Sequence, residues 1–428
     1  MAVSISEQVR DLLKEKMNRQ LLYYLDICAR CGICKDACHI YRATGRVEHV
    51  PSYRAEVLRR VYNKYLAPLG RLRRDYGEVT EEDLQKMYEA AFTCTGCRRC
   101  MVYCPFGIDI TWLISMEKAV LSSFGRVPEE LSMLADAAVE KGKSIELYRE
   151  IMAEQIKSYE PELRARTGMP EASIPIGEKG ARVLYVALAG IHSILPAAII
   201  FNLAGEDWTL SMFEAANYGY FSGETSKAAE IAKRIVDEAE ALGVKEVVIT
   251  ECGHAFRVMK YLAGGWLKRD LPFRVRSIFQ PFAEYLRDGR LKVHTQITEP
   301  VTYHDPCQLG RNGGVYEEPR EIIKTICTDF REMTPNREKN WCCGGGGGLV
   351  AQTDLENYRA ETGRLKAEQI KATGAKTVAT PCENCRLQLA LLNERYDLGV
   401  TITAVTDMLV EAVAVPAAKG ETAEEISR

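Results

Sequence analysis

The stretch Trp341-Cys342-Cys343-Gly344-Gly345-Gly346-Gly347-Gly348 decides how the C-terminal half of the chain is read. Adjacent cysteines rarely form a structural disulfide, because neighbouring Cα atoms sit too close and too constrained for the bridge. Five glycines in a row would weaken a helix or a strand, since glycine loses the most backbone freedom on folding. They are useful where backbone bends sharply or presses close to a bulky inorganic group. Cys307 lies upstream, in Tyr303-His304-Asp305-Pro306-Cys307, and Cys382 and Cys385 lie downstream, in Pro381-Cys382-Glu383-Asn384-Cys385. The spacing C-x34-CC-x38-C-x2-C gathers five thiols, one more than a zinc site or a cubane cluster needs. A flexible linker between inert thiols and a four-thiol zinc site are the competing readings. An iron–sulfur site is preferred because of the other end of the chain.

There, Cys28-x2-Cys31-x2-Cys34-x3-Cys38 is followed by a second run of identical spacing, Cys94-x2-Cys97-x2-Cys100-x3-Cys104, then Pro105. This is the arrangement of two-cluster ferredoxins, in which three closely spaced thiolates wrap one cluster and the fourth ligates the other. The expected partition is Cys28, Cys31, Cys34 and Cys104 around cluster I, and Cys94, Cys97, Cys100 and Cys38 around cluster II. His39 stands where proline is usual after the first run, which removes no ligand.

The chain has 428 residues, a net charge of -3 and 15 cysteines. That length predicts two or three domains, and the charge gives no reason to expect nucleic acid as a partner. Clustered C-x2-C pairs in a chain this long read as metal ligands in a reducing compartment, not as a secreted disulfide scaffold. The first 25 residues are charged and helix-like, unlike a signal peptide. The apolar patch Ile191 to Gly205 is too short to span a bilayer. The expectation is a cytoplasmic protein, attached to a membrane only through a partner.

In chain order, Val3 to Asp26 predicts one amphipathic helix. Between the cysteine runs lies a charged helical insert with Arg46, Arg54, Arg59, Arg60, Lys64, Arg71, Arg73 and Arg74. These form either a docking face for a partner or lipid headgroups, or a solvated face balanced by nearby glutamates; the second is favoured. The helical pattern ends at Ser158, and Pro161, Gly168, Pro170, Pro175 and Gly177 mark a linker. From Arg182 onward, strand and helix patterns alternate, as in α/β units around a parallel sheet.

The C-terminal half repeats itself. Glu246 to Ala255 lines up with Lys376 to Cys385, each after a helix and a glycine. Asn217-Tyr218-Gly219 sits where Cys342-Cys343-Gly344 sits, and Ala189 falls near the place of Cys307. The first copy keeps only Cys252, too few thiols to hold a cluster. The fold class expected is α+β multidomain: a helical ferredoxin-like domain over 1–125, a helical connector over 126–180, a degenerate α/β copy over 181–290, an intact one over 291–415 and a flexible tail over 416–428.

Taken together, the two ferredoxin runs, the five-thiol pattern, Cys104-Pro105-Phe106-Gly107-Ile108-Asp109, Glu251-Cys252-Gly253-His254-Ala255 and His304-Asp305-Pro306-Cys307 resemble the catalytic subunits of heterodisulfide reductases. The likeness is strongest to the D-type subunits and their DsrK, Tmc and Hmc relatives in sulfate-reducer membrane redox complexes, and it spans nearly the whole chain. Related motifs occur in glycolate oxidase, lactate-utilisation and glycerol-3-phosphate dehydrogenase iron–sulfur subunits.

The resemblance implies two tandem CCG-type domains, the second holding a noncubane [4Fe-4S] cluster on Cys307, Cys342, Cys343, Cys382 and Cys385, with Gly344 and Gly345 against it. Two cubane [4Fe-4S] clusters would feed it. It further implies reductive cleavage of a sulfur–sulfur bond, a membrane cytochrome b-type partner among other subunits, a small sulfur-carrier protein as a further partner, and a place on the inner face of the cytoplasmic membrane.

His304, Asp305 and His254 are the candidate proton donors, each with a structural hydrogen-bonding role as the alternative. Cys252 is a reactive thiol, an extra ligand or a remnant; Cys327 reads as buried packing. The alternative function is a non-catalytic electron carrier between a membrane cytochrome and a soluble carrier. A nicotinamide or flavin fingerprint from Gly344 would need glycine at 349, which is Leu349.

Overall fold

The computed structural model describes residues 4–68, 70, 77–188, 191–214 and 217–416. Ala189, Arg71, Arg73, Arg74 and all but the first residue of the tail expected over 416–428 lie outside the described residues.

The N-terminal module is helical. Ser4 caps the first helix, Ile5–Glu15, in a reciprocal box with Glu7. The single helix expected over 3–26 is broken, because the Asn18 side chain accepts from the Leu21 amide and starts a second helix, Arg19–Asp26. Val9, Leu13, Leu21, Leu25, Leu58, Leu84, Phe92 and Leu113 pack into one buried cluster. Helix Ile110–Ser123 starts at Asp109, whose carboxylate accepts from the Thr111 and Trp112 amides.

The basic insert forms no free cationic face among the described residues. Arg54 and Arg59 are buried, Arg60 pairs with Asp83 at 2.5 Å and Lys64 with Glu78 at 2.5 Å. The connector runs further than the pattern indicated. Helix Ile145–Thr167 continues through Pro161, since Ile156, Tyr159 and Leu163 are buried and their packing outweighs one lost backbone bond. It ends at Gly168 in the left-handed region, φ +68°.

Two four-stranded parallel sheets follow. The first contains β1 (Val183–Val186), β2 (Trp208–Leu210), β3 (Glu246–Ile249) and β4 (Arg274–Ser277), in the order β2-β1-β3-β4. The second contains β5 (Val301–Tyr303), β6 (Phe330–Arg331), β7 (Thr377–Thr380) and β8 (Thr401–Ala404), in the order β6-β5-β7-β8. The two orders are the same, so the repeat read from the sequence is a repeat of topology.

The central strands β1, β3, β5 and β7 are buried along their whole length, as strands covered on both faces must be. The helix before β3 and the helix before β7 both stop at a left-handed glycine, Gly243 and Gly374. β3 and β7 each lead into a helix whose N-cap is a cysteine, Cys252 and Cys382. The copies diverge at the double cysteine: Tyr218–Ser222 is a short helix, whereas 342–348 is a glycine-rich turn segment.

Candidate metal centres

The eight thiols of the ferredoxin runs fall into two groups. Cys28, Cys31, Cys34 and Cys104 line one cavity with Ile33, Pro105 and Phe106, and Cys100 reaches its wall as well. Cys31 is exposed, and Tyr23, Ile27, Ile33 and Phe106 form an exposed apolar rim on the same side. Cys38, Cys94, Cys97 and Cys100 lie within electrostatic reach of one another, deeper in the molecule. Cys38 is the N-cap of helix His39–Thr44, and Cys104 follows the short helix Arg99–Val102.

The five C-terminal thiols converge from three loops, all at the C-terminal ends of strands. Cys307 follows β5, Cys342 and Cys343 come from the segment after β6, and Cys382 and Cys385 open the helix after β7 (Glu383–Arg395). All five are buried, between 2% and 7% exposed. Cys343 Sγ is 3.5 Å from Cys385 Sγ. The Gly344 amide points at Cys342 Sγ and the Gly345 amide at Cys343 Sγ, each at 3.5 Å. Hydrogen bonding with the Cys342 and Cys385 thiols and the Gly345 amide holds Cys343 well below the usual thiol range.

The rest of the glycine run does something else. A Cβ on Gly346 would meet Thr95 O at 2.6 Å, and one on Gly347 would meet Cys94 O at 2.4 Å. The bare backbone therefore lets the C-terminal loop lie directly on the second ferredoxin run. Side chains fasten the same contact. Gln308 Nε2 donates to Gly96 O at 2.8 Å, and Arg311 Nη1 donates to Cys97 O at 2.7 Å. Arg99 stacks on Trp341 at 3.4 Å while donating to Ala37 O and Lys339 O. As a result, His39, Cys97 and Cys342 present a ring nitrogen and two sulfurs within 4.8 Å of one another.

The proposed proton donors separate. His304 is fully buried, and a ring nitrogen lies within 4.8 Å of the sulfurs of Cys343 and Cys385. Neither of its ring nitrogens has a protein hydrogen-bond partner, and burial holds it well below the usual imidazole range. Asp305 faces elsewhere. Arg320 grips both its oxygens, at 2.6 and 2.7 Å, and the Arg337 amide adds a third bond at 2.8 Å. That geometry braces the loop carrying Cys307, and it leaves no free carboxyl for proton delivery.

His254 is not opposite the five thiols. It packs edge-on against Phe221, at 4.7 Å between ring centres, beside a small cavity shared with Cys94, Lys118 and Gln308. Cys252 is buried, and burial and then the neighbouring Cys382 push its thiol up to about 12.

Two buried lysines were not singled out from the sequence. Lys366 is fully buried, donates to Asn340 Oδ1 at 2.6 Å and to Gln369, and is pulled down to about 7 by burial. Lys118 donates to Phe221 O at 2.9 Å and Gly347 O at 3.1 Å, and burial lowers it to about 8. Only their folded partners reveal them. Gln308 and Arg311, by contrast, stand within four residues of Cys307 and were open to reading.

The donor set fits iron–sulfur clusters. Thirteen thiols form three groups, amides point at sulfur, and His39 and His304 turn unpartnered nitrogens toward sulfur. Comparison with known proteins agrees. Residues 24–108 match a 4Fe-4S dicluster domain and residues 301–390 match a cysteine-rich domain, CCG. The chain is 27% identical to the Hdr-like menaquinol oxidoreductase iron–sulfur subunit 2 of Archaeoglobus fulgidus, over 98% of this chain and 84% of that protein. It is 25% identical to the D-type subunit of the dihydromethanophenazine:CoB–CoM heterodisulfide reductase of Methanosarcina barkeri, over 92% of this chain and 95% of that one. An EtfAB:quinone oxidoreductase of Syntrophomonas wolfei is 23% identical over 86% of this chain and 55% of its own length.

Proposed function

Because the chain is a homologue of the D-type heterodisulfide reductase subunits and the Hdr-like iron–sulfur subunits, we propose that it relays electrons inward to a sulfur–sulfur bond reduced at its five-thiol site. In this reading Cys28, Cys31, Cys34 and Cys104 hold the entry [4Fe-4S] cluster, and Cys38, Cys94, Cys97 and Cys100 hold the second. Cys307, Cys342, Cys343, Cys382 and Cys385 hold a noncubane [4Fe-4S] cluster. Such a cluster, when bound, supplies single electrons and an iron able to accept a thiolate.

The observation that carries the reading is the contact between Cys97 and Cys342. It joins the second ferredoxin group to the five-thiol pocket through two sulfurs. The first group lies at the surface under an apolar rim, which suits entry from a partner subunit, with a membrane cytochrome b as the proposed donor and this chain peripheral to the membrane. No described helix is long and apolar enough to cross a membrane. In this reading His304 donates an N–H hydrogen bond to sulfur at Cys343 or Cys385, within 4.8 Å of its ring, and Lys366 offsets the negative charge of the thiolates.

A second reading, a carrier without chemistry of its own, is favoured by one observation. The five thiols are almost wholly buried, so a disulfide substrate needs an opening.

Iron counting with EPR on the anaerobically purified protein tests the assignment. About twelve irons per chain, four for each of three clusters, are expected, falling to about eight in Cys343→Ala. Eight irons in the fully reconstituted parent protein would remove the third cluster. Reduction of a small disulfide or a protein trisulfide by the loaded protein separates catalyst from carrier.

A further inference from the structure

His39 is 1% exposed, and neither ring nitrogen has a nitrogen or oxygen partner in the protein. A buried imidazole calls for a hydrogen-bond partner, and Cys97 sulfur is the acceptor within reach. Its polar neighbours are sulfurs. A ring nitrogen lies within 4.8 Å of both Cys97 Sγ and Cys342 Sγ, and those two sulfurs lie within the same distance of each other.

The position is fixed by the backbone. His39 is the first residue of the helix capped by Cys38, and that helix packs against Glu356–Thr362 of the second α/β copy. The ring therefore stands at the junction of two ligand sets, which the loop contacts of Arg311, Gln308 and Arg99 hold together. A hydrophobic residue, or the proline usual after such a run, would fill the volume but offer no N–H.

We propose that His39 is a positioning residue for electron transfer. It donates a hydrogen bond from its ring N–H to sulfur at the Cys97–Cys342 junction and so couples the second ferredoxin cluster to the five-thiol cluster. This inference rests on the three-cluster reading above. The imidazole keeps its proton throughout. With clusters bound, one electron would pass from the group held by Cys97 to the group held by Cys342, and the ring N–H would favour whichever side is the more negative.

The test uses the full-length, iron-loaded chain with its histidines labelled with nitrogen-15. Pulsed EPR of the reduced protein is expected to show weak histidine nitrogen couplings, one of which disappears in both His39→Leu and His39→Gln while that of His304, within 4.8 Å of Cys343 and Cys385 sulfur, stays. In His39→Leu, electron transfer between the two clusters after a rapid one-electron reduction is expected to slow about tenfold, the scale of one charge-assisted hydrogen bond. His39→Gln, which keeps an N–H near the same place, is expected to recover most of that rate.

A parent protein with about twelve irons whose histidine couplings are all unchanged in both variants overturns the proposal. So does a His39→Leu protein, fully loaded, with the parent's inter-cluster rate. A strong coupling of the kind a directly bound nitrogen gives also overturns it, by making His39 a ligand. If His39→Leu does not load, the comparison of parent with His39→Gln decides alone. A parent with only about eight irons fails the three-cluster reading instead, which distinguishes the two failures.

Discussion

In the first α/β copy, Tyr185, Phe201, Trp208, Phe282 and Tyr285 make a connected set of ring contacts, with centroids 5.0 to 6.5 Å apart. Among the described residues, none of the ring contacts joins two rings of the second copy. Its separate cluster is Met333, Ala367, Ile370, Val378, Leu389 and Leu392, with Cys307, Cys342, Cys343, Cys382 and Cys385 buried among them. The strand order is identical, so the sheet does not depend on which filling it carries. What differs is the source of stability. The copy without ligands is filled by aromatic side chains in a core it shares with Val301, Tyr303, Ile322, Ile323 and Leu409 of the second copy, whereas the second copy adds a cluster of its own that includes metal-binding groups, so the folding of that part is linked to what they hold.

Iron removal gives the largest expected effect. Anaerobic treatment with an oxidant and a chelator should leave the first copy folded and open the second. Limited proteolysis followed by mass spectrometry is expected to cut within 291–415 well before 181–290. Equal protection of the two, with iron gone, would mean that apolar packing alone closes both, and the contrast would fall.

Phe201→Ala attacks the other side. Phe201 is fully buried and touches four of the rings, so its loss should cost about 3–5 kcal/mol. Denaturation of the loaded protein reads the loss, and the iron count should stay at about twelve. Iron falling together with stability would show that the copies fold as one unit.

The two ferredoxin runs were legible because their chemistry is local: four thiols in eleven residues leave little freedom, and residues 24–108 match a 4Fe-4S dicluster domain. Strands β3 and β7 were legible as apolar runs behind a helix and a glycine. The repeat was aligned to within one residue: Cys252 caps its helix three positions after β3 ends, and Cys382 two positions after β7. Pro161 misled: it lies inside a helix, where burial of the surrounding face overrides one missing amide. The clamp on Asp305 was hidden because Arg320 stands fifteen residues away. Asn340 and Lys366 meet across 26 residues. Only the fold brings such partners together, and the fold turned Asp305 from a candidate donor into a brace.

The smallest expected effect concerns the one thiol left in the first copy. Cys252 occupies the helix cap that Cys382 occupies in the second, and the two cysteines face each other closely enough to influence each other's charge. If the first copy is closed by packing alone, Cys252 behaves as a small buried apolar group. Cys252→Ala should then cost about 1 kcal/mol and leave the iron content, the EPR signals and disulfide turnover as they were. Loss of iron from the third cluster, or a changed signal at full iron, would make Cys252 a working member of the five-thiol site. The two copies would then share a centre across their interface, with the first copy supplying a sixth sulfur.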